Sequence, residues 1–253
     1  MKYLLFITLS ILLFNCKDVK QYVSEEKETA QTIIDKTIAV TGVTALNESD
    51  LSFTFRDIKY RAIRSKGQFS LMRTLSQGND DLIMDELTNT GFSRRFNDVV
   101  VSIGDSMAVA YSASVNSVHY FSVLPYGLND AAVNKELLEN VSVKNKKYNT
   151  IKVTFNQDGG GEDFEDVFMY WVNKETNKVD YLAYSYNEDD VKGIRFREAC
   201  NERYVDGIRF VDYNNYKPED TSISITDLPQ LFEKGDLKLL SKIELEAINI
   251  TLN

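Results

Sequence analysis

The chain is poor in the residues that usually carry chemistry. Its 253 residues include two cysteines, three prolines, one tryptophan and one histidine. The lone His119 excludes a histidine-based metal cluster, and a Ser-His-Asp arrangement would depend on it entirely. With Cys16 committed elsewhere, Cys200 has no disulfide partner, so the fold must rest on its core. It reads as a small core hydrophobe. There is no phosphate loop, dinucleotide fingerprint, CxxC pair or HExxH motif, and no cofactor is expected. No apolar run approaches the roughly 20 residues of a membrane-spanning helix. Positive charge is also scarce. Lys and Arg number 29 against 38 Asp and Glu, a net charge of −9 that excludes a nucleic-acid partner.

The amino terminus is more telling. Tyr3 to Phe14 is apolar for about 12 residues, the length of a signal h-region, and Cys16 follows directly. This resembles a bacterial lipoprotein signal. Residues 1–15 are expected to be removed, 16–26 to form a lipidated tether, and 27–253 to fold as a single domain. Two acyl chains on Cys16, at about 0.8 kcal/mol per buried CH₂, would hold it to a membrane. The expected location is the cell envelope, anchored to the outer membrane on its periplasmic face or at the cell surface.

Downstream, Ala30, Ile33, Ile34, Thr37 and Ile38 predict a helix over Glu25–Thr41, ended by Gly42. Leu51, Phe53 and Phe55 alternate with polar residues, and Ile58, Tyr60 and Ala62 continue on the opposite parity, which predicts a bulge at Arg56–Asp57. Further strands are expected at Phe69–Leu75, Leu82–Thr88, and Phe92–Phe96 paired with Val99–Ile103. Asp105–Leu124 reads as a helix stopped by Pro125, and Ala131–Leu138 as a second short one. Strands resume at Ser142–Asn145, Thr150–Asn156, Glu165–Asn173, Lys178–Tyr186, Ile194–Asn201 and Gly207–Tyr216. A short helix is expected over Asp227–Lys234, and Leu237–Leu252 reads as one closing strand.

Antiparallel strands with one wet face alternate cleanly. Val167–Val172 does not. Phe168, Tyr170 and Val172 would occupy one face, and Val167, Met169 and Trp171 the other. Such a strand needs cover on both sides. The aromatic-rich strands nominate Phe53, Phe55, Tyr60, Trp171, Tyr184 and Tyr186 as walls for an apolar ligand, with a filled core as the alternative. Arg195, Arg197 and Arg209 alternate with apolar residues. They form either a charged outer face or a clamp for a carboxylate or phosphate. The Asp158–Asp166 loop offers Asp158, Glu162 and Asp163 as a weak Ca²⁺ candidate, or else a solvated hairpin tip.

The segments Asp158–Trp171, Asp180–Tyr186, Gly193–Glu198 and Gly207–Pro218, together with Ser52–Asp57 and Leu124–Asp130, resemble an uncharacterised flavobacterial lipoprotein family. That family has no established activity. The order of elements is similar to the Lol-type lipoprotein carriers, open β-barrels with helices lying over an acyl-binding cavity. The expected fold is α+β: a large curved antiparallel sheet, an open or half β-barrel, with an N-terminal helix and mid-chain helices over one face. The expected function is non-catalytic binding of a lipid or acyl chain between sheet and helices. The alternatives are an interaction subunit that docks another envelope protein, and a hydrolase using carboxylates of the Asp158–Asp166 loop.

Overall fold

The computed structural model describes residues 28–78, 80–160, 164–188 and 191–253. The signal segment, Cys16, the tether, Glu162 and Asp163 lie outside the described residues. Among those described, two seven-stranded antiparallel sheets enclose the core and do not close into a barrel.

Helix α1 spans Ala30–Thr41, starting five residues later than the periodicity predicts. Thr29 sets that start. Its side chain accepts from the Thr32 backbone N–H at 3.1 Å, and the Thr32 hydroxyl accepts from the Thr29 N–H at 2.9 Å, a reciprocal cap. Gly42 ends the helix at φ +70°, where a β-carbon would overlap the Gly207 carbonyl.

Sheet 1 begins with β1 (Ser49–Phe55) and β2 (Ile58–Ser65). The predicted bulge between them is instead a two-residue turn. Arg56 and Asp57 both adopt left-handed backbone (φ 51° and 62°), and Phe55 pairs directly with Ile58. The change of parity is the chain reversing. Phe53 therefore faces Tyr60 across the hairpin. Strands β3 (Gln68–Ser76), β4 (Leu82–Thr88), β5 (Gly91–Phe96) and β6 (Val99–Val101) continue the meander. Helix α2 (Asp105–Ser122) then carries the chain to sheet 2.

Sheet 2 is a second meander of β7 (Val133–Val143), β8 (Lys146–Phe155), β9 (Val167–Asn173), β10 (Val179–Glu188), β11 (Val191–Val205) and β12 (Ile208–Lys217). The helix expected over Ala131–Leu138 is the start of β7. Pairing with β8, from Val133↔Phe155 to Val143↔Lys146, overrides the local helical preference of Lys135–Glu139. Helix α3 spans Leu228–Lys234.

The closing segment is also not one strand. β13 (Lys238–Ile243) extends sheet 2 beside β12, and β14 (Glu246–Leu252) joins sheet 1 beside β1. The crossing residue, Leu245, is pinned. Its N–H donates to Asp212 at 3.0 Å, its carbonyl accepts from Arg203 at 2.6 Å, and Arg203 pairs with Asp212 at 2.9 Å. At the opposite edges, β6 and β7 are not paired with each other.

Both faces of β9 are covered. On the inner face, Phe168, Tyr170 and Val172 pack with Ile33 and Ile34 of α1 and with Leu124 and Leu128 after α2. On the outer face, Met169 and Trp171 pack with Tyr181, Phe196 and Leu228 of α3. Each large side chain buried this way contributes about 1.5–3 kcal/mol. A third cluster joins the two sheets through Leu51, Phe53, Tyr60, Ile208, Phe210 and Leu245.

Candidate functional site

A row of aromatic rings runs across the inner face of sheet 2. Strand pairing sets it up, because Val153 faces Phe168, and Phe168 faces Tyr184. Phe155 meets Phe168 edge-on at 5.7 Å, Phe168 stacks on Tyr184 at 5.5 Å, and Tyr184 meets Tyr186 at 5.8 Å. Phe121, in the last turn of α2, covers the row from above, 5.2 Å from Tyr184 and 6.0 Å from Phe168. Phe121, Phe155, Tyr184 and Tyr186 are all half-buried, so each ring keeps some surface towards solvent. Gly193 lies opposite Tyr186, whose ring occupies the space a β-carbon would need.

Arg197, on the neighbouring strand β11, adjoins this row under Phe121 and is 7% exposed. Its guanidinium carbon is 3.8 Å from the Phe121 centroid, 5.0 Å from Tyr184 and 5.9 Å from Tyr213. It donates one hydrogen bond, from Nη2 to the Tyr184 hydroxyl at 2.8 Å. Its Nε and Nη1 are buried without a partner among the described residues. The neighbouring carboxylate, Glu198, belongs to Lys144 (2.6 Å) and accepts from Asn214. Three rings offset part of the burial of this charge, by about 0.5–2 kcal/mol each. Two unpartnered charged donors remain, and a native core seldom tolerates them.

The other two arginines are placed differently. Arg209 is bound to Glu202 at 2.6 Å and donates to the Val179 carbonyl. Arg195 is half-exposed at the rim, over the Tyr186 ring at 5.3 Å, and donates to the Ile194 carbonyl. Burial raises the Tyr213 hydroxyl, and the charges of Arg209 and Arg197 partly offset it. Beside the row, Tyr120 and Tyr170 share a hydroxyl–hydroxyl hydrogen bond of 2.7 Å, and burial holds both far above the ordinary tyrosine range.

The remaining sequence candidates lie apart from this row. Phe53 and Tyr60 stack at 5.3 Å in the inter-sheet cluster, with His119 edge-on to both. Phe55 is half-buried nearby, under Arg56. Trp171 lies on the outer face, 5.6 Å from Phe196, and its indole N–H has no partner among the described residues. The nominated wall residues thus occupy three places, and only Tyr184 and Tyr186 belong to the row. Asp158 is exposed at the turn after β8. Among the described residues, no three of His, Cys, Asp and Glu gather as a metal site.

Residues that the sequence reading did not nominate complete the row: Phe121, Phe155 and Phe168. Their apolar character was visible, but the register that aligns them was not. The outer face of sheet 2 also carries two open clefts. One, of about 420 Å³, is lined by Leu138, Val167, Met169 and Ile223–Thr226. The other, of about 530 Å³, lies beside α3.

Helix α2 is held to sheet 1 by polar pins. Asp85, fully buried, takes Arg73 at 2.7 Å and Arg94 at 2.6 Å. Arg73 also donates to Ser114 at 2.7 Å, and Arg94 lies 3.6 Å over the Tyr111 ring. His119 is buried and contacts the Met72 carbonyl through Nε2 at 3.0 Å. Burial lowers its pKa to about 4, so it is neutral at pH 7 and the Nε2–H donates. No described helix is long and apolar enough to cross a membrane.

The sequence matches a family of unknown function, DUF6503, over residues 6–245, and the chain belongs to that family. No curated protein matches it. Among solved structures, it is similar to a LolA superfamily protein from Nitrosomonas europaea (12% identity, TM-score 0.47), over 89% of this chain and 94% of that one. A DUF1329 family protein from Desulfovibrio piger is similar at 10% identity and TM-score 0.42, over 88% and 91%. A domain named for outer membrane lipoprotein sorting, from Vibrio parahaemolyticus, is similar at 9% identity and TM-score 0.40, over 81% and 99%.

Proposed function

We propose that this DUF6503 member is a membrane-anchored envelope lipoprotein that holds an apolar or amphiphilic ligand, a lipid or acyl chain, without catalysis. On this reading residues 1–15 are a signal peptide, Cys16 is lipidated, 16–26 is a tether and 27–253 is one binding domain. The outer membrane carries it, on the periplasmic face or at the cell surface. The carrying observation is the half-buried ring row across β8, β9 and β10 under Phe121. Wide flat rings that are only partly buried suit a chain of methylenes better than they suit water. Native mass spectrometry of the protein extracted from its own membrane tests this. A co-purified lipid is the expected result, and its absence at every extraction condition overturns the reading. Fractionation tests the anchor, because Cys16→Ala is expected to move the protein out of the membrane fraction.

A second reading, an interaction subunit, is favoured by β6. Val99 and Val100 are 67% and 65% exposed on this free edge, next to the exposed Leu82 and Phe96. Such an edge accepts an added strand from an envelope partner. A photo-crosslinking residue at Val100 separates the two readings. One protein partner captured at high occupancy, with no lipid bound, favours docking.

A further inference from the structure

We propose that Arg197 is a headgroup anchor, and that the ligand is an anionic amphiphile whose carboxylate or phosphate binds this guanidinium while its chain lies on the ring row. The inference rests on the amphiphile reading above and narrows it to one charge.

Four observations point the same way. Arg197 is more than nine-tenths buried, yet its Nε and Nη1 have no acceptor among the described residues. Its one partner, the Tyr184 hydroxyl, is itself part of the row, so the charge and the apolar surface adjoin. The carboxylates nearest to it along β11 are committed elsewhere, Glu198 to Lys144 and Glu202 to Arg209 and Lys178. Arg195 stands at the rim two residues away on the same strand, giving an incoming anion a second, more exposed cation. An anion that reaches Arg197 supplies the missing acceptors. A neutral lipid leaves them bare, so the site discriminates by headgroup charge rather than by chain.

Arg64 provides an internal comparison. It is also buried, with Nη1 unpartnered, but it lies over the single ring of Tyr126 and outside the row.

Equilibrium dialysis of the full chain in a non-ionic detergent tests the proposal, using radiolabelled laurate, dodecyl phosphate, dodecanol and inorganic phosphate as probes. The wild type is expected to bind laurate or dodecyl phosphate at least about tenfold more tightly than dodecanol. Whichever of the two binds tighter identifies the headgroup. Arg197→Met is expected to bring the anionic probes down to the dodecanol affinity and leave dodecanol unchanged. Arg64→Met is expected to change neither.

Equal affinity of the wild type for laurate, dodecyl phosphate and dodecanol overturns the headgroup anchor while leaving the amphiphile reading in place. This arm needs no variant to fold. Equal loss in Arg64→Met overturns the assignment to Arg197. Inorganic phosphate binding as tightly as dodecyl phosphate makes this a free-anion site and overturns the proposal. If none of the four probes binds, the amphiphile reading fails and the inference fails with it.

Discussion

Helix α2 lies between two sets of buried arginines that follow opposite rules. Towards sheet 1, Arg73 and Arg94 share the fully buried Asp85, and the surplus donors go to Ser114 and the face of Tyr111. Towards sheet 2, Arg197 is buried just as deeply with one hydroxyl, three rings and no carboxylate. Breaking a buried pair is costly because it strands a charge. At Asp85 both arginines have a fixed partner, so that cluster is a fastening, whereas Arg64 of the same sheet is buried over Tyr126 with Nη1 unpartnered among the described residues. In sheet 2 the cation is already stranded, and the fold accepts that cost where the rings are also open to solvent. The Asp85 cluster marks where α2 is fastened, and Arg197 lies where its last turn covers the open ring row.

The strongest way to break this comparison is Asp85→Asn. It leaves Arg73 and Arg94 without their shared anion and is expected to lower the unfolding free energy by about 3–5 kcal/mol, read from urea denaturation at pH 7. If Arg197→Met costs as much, the two sites are of one kind.

His119 sharpens the sheet 1 side through pH. Its folded pKa, about 4, lies below its unfolded value of 6.5. The neutral form is the one the fold accepts, so its stabilisation is complete above pH 6.5. Between pH 6.5 and 4 the unfolded state binds the extra proton and stability falls, by on the order of 3 kcal/mol in all. His119→Gln is expected to flatten that part of the stability–pH curve relative to wild type. An unchanged slope would remove His119 as its source.

On the sheet 2 side, Tyr170→Phe removes the partner of the Tyr120 hydroxyl and is expected to cost about 1 kcal/mol by thermal or urea unfolding. The smallest effect is reserved for Arg197→Met. Lost cation–π contact and relieved desolvation oppose each other, and the net change without ligand is expected within about 1 kcal/mol of zero.

The strand–strand–strand rhythm was legible because alternation is a local signal. So was the two-sided cover of β9, since Phe168–Met169–Tyr170–Trp171 leaves no wet face to either parity. The ring row was half legible. Tyr184 and Tyr186 are two residues apart and must share a face, whereas Phe155 and Phe168 reach them only through register, which pairing sets. Phe121 sits in a helix whose rotation about its axis follows from the pins to Asp85 and Met72. The special status of Arg197 was not readable at all. Arg195, Arg197 and Arg209 look alike in sequence, and only the location of Glu198 and Glu202 separates them. Lys135–Glu139 favours a helix by composition, and only its pairing with β8 makes it strand.

The passage of the chain through Leu245 has a mechanical consequence. With one dipeptide stitched to Asp212 and Arg203 between β13 and β14, the two sheets form a book bound along that spine. The opposite edges, β6 and β7, share no strand pairing among the described residues and are joined by the chain running through α2. Any parting of the pages is therefore limited by the length of α2 and of the segment that follows it.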